Sequence, residues 1–167
     1  MLKIPDPLTP ADVLAARANL PELALARANE LFAATWQCSH VRLLELVPDS
    51  PESLERLLAH ALCTSPHAEL DAADWLPNTC FRSVDRQALL QLQEQALDDI
   101  HEADGRDNPL LVAALQALDC NKARQIHAIE RHGQARGPAQ PWSLGVDQQL
   151  FWVDGDSFYY LAIHHES

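Results

Sequence analysis

Proline and small polar residues punctuate this chain at short intervals, and between them the apolar positions recur mostly three and four residues apart. Thr9, Pro10 and Asp12 read as an N-cap, a proline in the first helical position and an acid in the first turn, which predicts a short helix ending near Asn19. Pro21 and Glu22 open a longer one. Its apolar stripe runs Leu25, Ala28, Phe32, Trp36, His40, Leu43 and Val47, close to a helical period, and Pro48 stops it. Ser50 and Pro51 start the next helix, with Leu54, Leu57, Leu58, Ala61 and Leu62 on one face. Ser65 and Pro66 repeat that signal for a short helix to Leu76, ended by Pro77, and 78–82 is a connector or short extended piece.

Ser83 is expected to cap a strong helix to about Ala103, striped by Leu89, Leu92, Ala96 and Ile100, with Gly105 just past its end. Asp107 or Asn108 then caps a last helix that starts at Pro109 and runs to about His132, with Leu111, Leu115, Leu118 and Ile126 inward. The short link makes these two an antiparallel pair.

The pattern changes after a Gly/Pro-rich loop over 133–148. Leu150 to Val153, the turn residues Asp154-Gly155, then Ser157 to Ile163 predict a β-hairpin over 149–164. The expectation is a single domain of mainly α class. It has an extended segment over 1–8, a bundle of about five or six helices over 9–132, and the C-terminal antiparallel β-hairpin. The tetrapeptide Ala-Arg-Ala-Asn occurs at 16–19 and again at 26–29, too short a match to signal a repeat architecture.

Composition narrows function mainly by exclusion. With 167 residues, 47% hydrophobic and 22% charged, the chain is an ordinary globular one with enough length for a core. A formal net charge of −12 repels nucleic-acid backbones and anionic membrane surfaces and attracts basic proteins, although acidity also serves solubility alone. Cys38, Cys63, Cys80 and Cys120 are scattered through apolar segments, and the N-terminus carries no apolar run of the signal-peptide kind. A cytoplasmic protein with reduced thiols is the expectation. Abundant Ala, Leu, Arg and Gln beside only Lys3 and Lys122 fit a bacterial source.

Recognisable catalytic motifs are missing. The five glycines form neither a dinucleotide fingerprint nor a P-loop. No nucleophile elbow occurs, since Pro141-Trp142-Ser143-Leu144-Gly145 has proline where the first glycine must turn. Neither CxxC nor HExxH is found, and an EF-hand frame on Gly105 places Ile100 where an aspartate must ligate. No cofactor is expected.

Several clusters carry potential chemistry. Asp98, Asp99, His101, Glu102, Asp104 and Asp107 gather at the C-terminal end of a predicted helix. There each acid is disfavoured by roughly 0.3–1 kcal/mol against the helix carbonyls. The fold has no need of that arrangement, so it points to a cationic partner surface; the plainer account is a solvated acidic corner. Asp98-x-x-His101 is half of a di-iron carboxylate spacing without its second half. His60, Cys63 and His67 offer three zinc-type ligands at a spacing that chance also produces. Lys122, Arg124, His127, Arg131, His132 and Arg136 make a basic stretch that a helix C-terminus would explain, short of a nucleic-acid face. His164, His165 and Glu166 read as a polar tail rather than a ligand set.

The hairpin is apolar on both faces. Leu150 and Trp152 oppose Phe151 and Val153, while Phe158, Tyr160 and Ala162 oppose Tyr159, Leu161 and Ile163. Either the chain's own elements cover both faces, or a partner chain or second copy does, through the face or by strand addition. The favoured reading is a binding module of inhibitor, immunity, chaperone or adaptor type. It would dock a basic or apolar protein surface through Asp98, Asp99, Glu102 and Asp104, through Trp152, Phe158 and Tyr160, or through both sets. A homodimer through the hairpin is a further option, and neither nucleic acid nor membrane is a partner. The alternatives are an enzyme in which several of His40, His60, Cys63, His67, His101 and His127 converge, or a helical small-molecule sensor with a pocket at Trp36 or Trp75.

Overall fold

The computed structural model describes residues 2, 4–5, 7–36, 39–63, 72–104, 109, 113, 121–131 and 147–165. It overturns the helical bundle. The core element is a six-stranded antiparallel sheet in the order β1-β2-β6-β5-β4-β3, with helices packed on both faces. In chain order the elements are α1 (Pro10–Arg17), β1 (Leu25–Trp36), β2 (Ser39–Pro48), α2 (Leu54–Cys63), α3 (Ala72–Trp75), β3 (Thr79–Ser83), α4 (Arg86–Asp104), β4 (Arg124–Arg131), β5 (Asp147–Asp154) and β6 (Ser157–His165).

The largest correction is the long helix expected over 21–47, which is instead the antiparallel pair β1–β2, with Leu25 opposite Pro48 and Trp36 opposite Ser39. β2 lies inside the sheet and is covered on both sides. Val41 and Leu43 join one apolar cluster, and Leu44 and Leu46 join the other. A strand buried on both faces is apolar at consecutive positions, and such a run also fits a helical stripe. The same ambiguity explains the second correction. Of the helix expected over 109–132, residues 124–131 form β4, whose Ile126 and Ala128 enter one cluster while Ile129 enters the other. Pro109 and Ala113 are helical, and Leu111, Leu115 and Leu118 lie outside the described residues.

Other boundaries shift for local reasons. Thr9 caps α1 as expected, in a reciprocal capping box with Asp12. α2 starts later than Ser50: Ser53 accepts from the Arg56 amide at its N-terminus, and Leu54, Leu57, Leu58, Ala61 and Leu62 all turn inward. Ser83 stays in β3, because the next residue, Val84, still donates to the Ile126 carbonyl on β4 (2.9 Å); Asp85 caps α4 instead, accepting from the Ala88 amide at 3.1 Å. Pro77 does not end a helix but sits within a 3-10 turn, Leu76–Asn78.

β5 and β6 pair across a tight turn closed by Asp154 and Ser157, one residue later than the Asp154-Gly155 turn expected. Gly155 takes φ +59 while Asp156 does not, the sign pattern of a II′ turn with glycine in its first central position. The two hairpin faces separate as the sequence implies. Phe151, Val153, Phe158 and Tyr160 pack with α1 and α2, whereas Leu150, Trp152, Leu161 and Ile163 pack with Leu89, Leu92 and Ala96 of α4. The chain therefore supplies its own cover for both faces. Among the described residues, no helix is long and apolar enough to cross a membrane.

Candidate functional site

α4 is the element whose exposed chemistry exceeds what the fold requires. Its 19 residues extend about 28 Å, and they bury one stripe, Leu89, Leu92 and Ala96, against the sheet. Gln87, Leu90, Gln91, Glu94 and Asp98 face outward. Leu90 is 41% exposed, the one large hydrophobic side chain so placed among the described residues. It stands one turn before Glu94 and two turns before Asp98, so an apolar knob leads into an acidic row.

The predicted acids continue that row in sequence. α4 runs to Asp104, so Glu102 and Asp104 belong to its last turn and Asp98 and Asp99 to the turns before it. Asp98 is exposed, while the side chains of Asp99, Glu102 and Asp104 lie outside the described set, as does that of His101. The antiparallel helix expected to carry Arg124 and Arg131 beside α4 is strand β4. Those cations therefore belong to the sheet rather than to a partner helix. Lys122 and Arg124 are exposed at the turn into β4, where Arg124 donates to the carbonyls of Asn121 and Ala123 (3.2 and 3.5 Å). In the β4–β5 register Arg124 pairs with Val153 and His127 with Phe151, both on the α1/α2 side of the sheet, while the side chain of Arg131 and the whole of His132 lie outside the described residues.

The aromatic half of the expected site is interior. Trp152 is 2% exposed and stacks on Tyr159 at a ring separation of 5.5 Å; Phe158 is 0% exposed; Tyr160 is 3% exposed and donates to Gln149. Their apolar area is spent within the chain. The hairpin also lacks a free edge for a homodimer, because β6 pairs with β2 and β5 pairs with β4. The open edges belong to β1 and β3.

Among the described residues, two of the histidines, His40 and His164, are paired in the backbone register. His60 is half-buried on α2, and its pKa is lowered by burial and by the nearby Arg42 guanidinium. Cys63, three residues on, is partly buried, and His67 lies outside the described residues. In the backbone register His40 pairs with His164, which pairs with Asp147. Two residues along is the row Arg42, Ala162 and Gln149. Among the residues described with side chains, no group of three or more His, Cys, Asp or Glu comes together in a metal-holding arrangement. Trp75 is core, and the Trp36 side chain is outside the described set.

Two buried charges were not singled out from the sequence. Arg42 (7% exposed) donates to the Ala61 carbonyl near the end of α2 at 2.7 Å. Glu45 (8% exposed) receives Arg27 at 2.6 Å, Asn29 at 3.2 Å and the Tyr159 hydroxyl at 2.6 Å. The available signal was their position inside the run Val41–Val47, where a charge must be partnered if the segment is buried.

No family model, curated protein or solved structure matches the chain.

Proposed function

We propose that this chain is a protein-binding module that docks a basic partner surface through the outer face of α4. The observation that carries the reading is Leu90, exposed on a helix whose outward side continues into Glu94 and Asp98. An apolar anchor beside a row of acids is the arrangement that steers a cationic surface and then excludes water from one contact. The sequence continues the row through Asp99, Glu102 and Asp104, close to carbonyls that disfavour acids. A net charge of −12 supplies the long-range field. Cys63 and Cys80 are not joined in disulfides, which fits a cytoplasmic setting as part of this reading. An inhibitor, immunity protein, chaperone or adaptor would all work in this way, without a cofactor.

The test is site-specific photo-crosslinking in source cells with p-benzoylphenylalanine in place of Leu90, compared with the same residue in place of Pro51 as an exposed control. A discrete protein adduct at position 90 and none at 51 is expected. The identified partner should then bind the Glu94→Lys/Asp98→Lys chain at least about tenfold more weakly, with wild-type affinity falling as salt rises. Binding that ignores both charge reversal and salt would overturn the reading.

A further inference from the structure

A cleft of about 340 Å³ opens on the other face of the sheet from α4. The N-terminal segment roofs it with Ile4, Pro5 and Pro7, and Phe81 and Ser83 of β3 and His127 of β4 form its floor. One strained residue holds the two halves together. Gln125 has φ +51, the non-glycine residue with positive φ among those described, and lies at an irregularity in the β4–β5 register. Its side-chain amide clasps the roof at both ends: Oε1 accepts from the Ile4 amide at 2.8 Å, and Nε2 donates to the Ile4 carbonyl at 3.4 Å. A left-handed conformation costs a non-glycine residue about 1–2 kcal/mol, so its retention here is a feature to be explained.

The same residue sets the chemistry of the floor. The Gln125 carbonyl lies 2.8 Å from His127 Nδ1. A carbonyl only accepts, so Nδ1 carries the proton, and in the neutral imidazole Nε2 is left as an acceptor. The imidazole is held flat on Phe151, with 5.4 Å between centroids and 10° between planes, and Phe81 meets Phe151 edge-on at 5.5 Å. Nε2 finds no partner among the described residues, and neither does the Ser83 hydroxyl opposite it in the β3–β4 register. Pro5 and Pro7 have no N–H, and the Ile4 N–H is taken by Gln125. Among the described residues lining the cleft, none is Lys, Arg, Asp or Glu.

We infer that this cleft binds a small neutral aromatic molecule bearing one O–H or N–H donor, of the phenol or indole class, with the donor on His127 Nε2. Its volume lies at the low end of the ~300–1,000 Å³ typical of ligand sites, which fits one ring system rather than a nucleotide. The described lining supplies no cation to hold a carboxylate or a phosphate, and the aromatic floor favours a flat ring. The site does not involve α4, so it stands or falls apart from the docking reading.

The experiment is an NMR titration of the full ¹⁵N-labelled chain with p-cresol, and with toluene and p-toluate as matched probes lacking the donor or carrying an anion. Expected are shifts at Phe81, Ser83 and His127, and p-cresol binding about tenfold tighter than toluene, with p-toluate weaker than either. His127→Phe keeps the ring stack and should erase the p-cresol advantage. Equal affinity for p-cresol and toluene in the wild-type chain overturns the inference, whatever the variant does. So does shift mapping to another surface, or no binding up to about 10 mM.

Discussion

Glu45 shows at the scale of one residue how a charge is kept inside this fold. Removing a carboxylate from water costs several kcal/mol unless its oxygens are occupied, and here Arg27, Asn29 and Tyr159 occupy them. Tyr159 bears the reciprocal effect. Burial first, and then the hydrogen bond to Glu45, push its phenol above the ordinary tyrosine range. A phenol with a raised folded-state pKa holds its proton where the unfolded chain has lost it. Its contribution to stability is therefore fully present below the unfolded value of about 10 and declines as pH rises past it. Urea midpoints measured from about pH 8 to about pH 11 should fall more steeply for the wild-type chain than for Tyr159→Phe, which keeps the stack on Trp152 but cannot ionise. At neutral pH the variant should be less stable by about 1 kcal/mol, the worth of one hydrogen bond. Parallel pH profiles for the two proteins would show that Tyr159 does not titrate as the geometry requires.

The β5–β6 turn argues the same way at the scale of an element. Gly155 adopts φ +59 with open space around it, so a methyl group there meets no neighbour and any cost is conformational. Gly155→Ala is expected to lose about 1–2 kcal/mol in urea denaturation, with no change in the slope of the transition. An unchanged midpoint would mean the turn does not hold this conformation. That hairpin was legible in the sequence, because a glycine turn between aromatic and β-branched runs has few other readings. Thr9 at the start of α1 and the inward stripe of α2 were legible for similar reasons of local chemistry. β1, β2 and β4 were not. Ala-Arg-Ala-Asn ends α1 at 16–19 and forms strand at 26–29, so nothing local to those four residues decides between the two. What decides is the sheet neighbour and the helix layer above it, contacts that single-sequence periodicity does not encode. The cleft was hidden for the same reason. His127 was read among basic residues of a helix, and its partners Gln125, Ser83 and Phe81 matter only once β3 lies against β4.

In the whole molecule the sheet is shared by two apolar clusters, and the shared strands couple them. β5 sends Phe151 and Val153 to the α1/α2 side and Leu150 and Trp152 to the α4 side; β2 and β6 divide their residues likewise. Loosening one side removes the backbone register on which the other depends, so the layers should not melt separately. Trp75 and Trp152 report on the two sides, since each is 2% exposed in a different cluster. Leu92→Ala strips a buried side chain from α4 and should cost about 2–5 kcal/mol. In chains retaining only Trp75 or only Trp152, urea unfolding followed by fluorescence should give coincident midpoints, and Leu92→Ala should lower both equally. If the Trp152 signal moved while the Trp75 signal stayed, α4 would be a detachable layer. The docking reading would then change, because a detachable α4 would have to be ordered by its partner, at a cost to affinity. A cooperative sheet instead holds Leu90, Glu94 and Asp98 in place before any partner arrives, so that the attraction of a surface charged at −12 is spent on association rather than on folding.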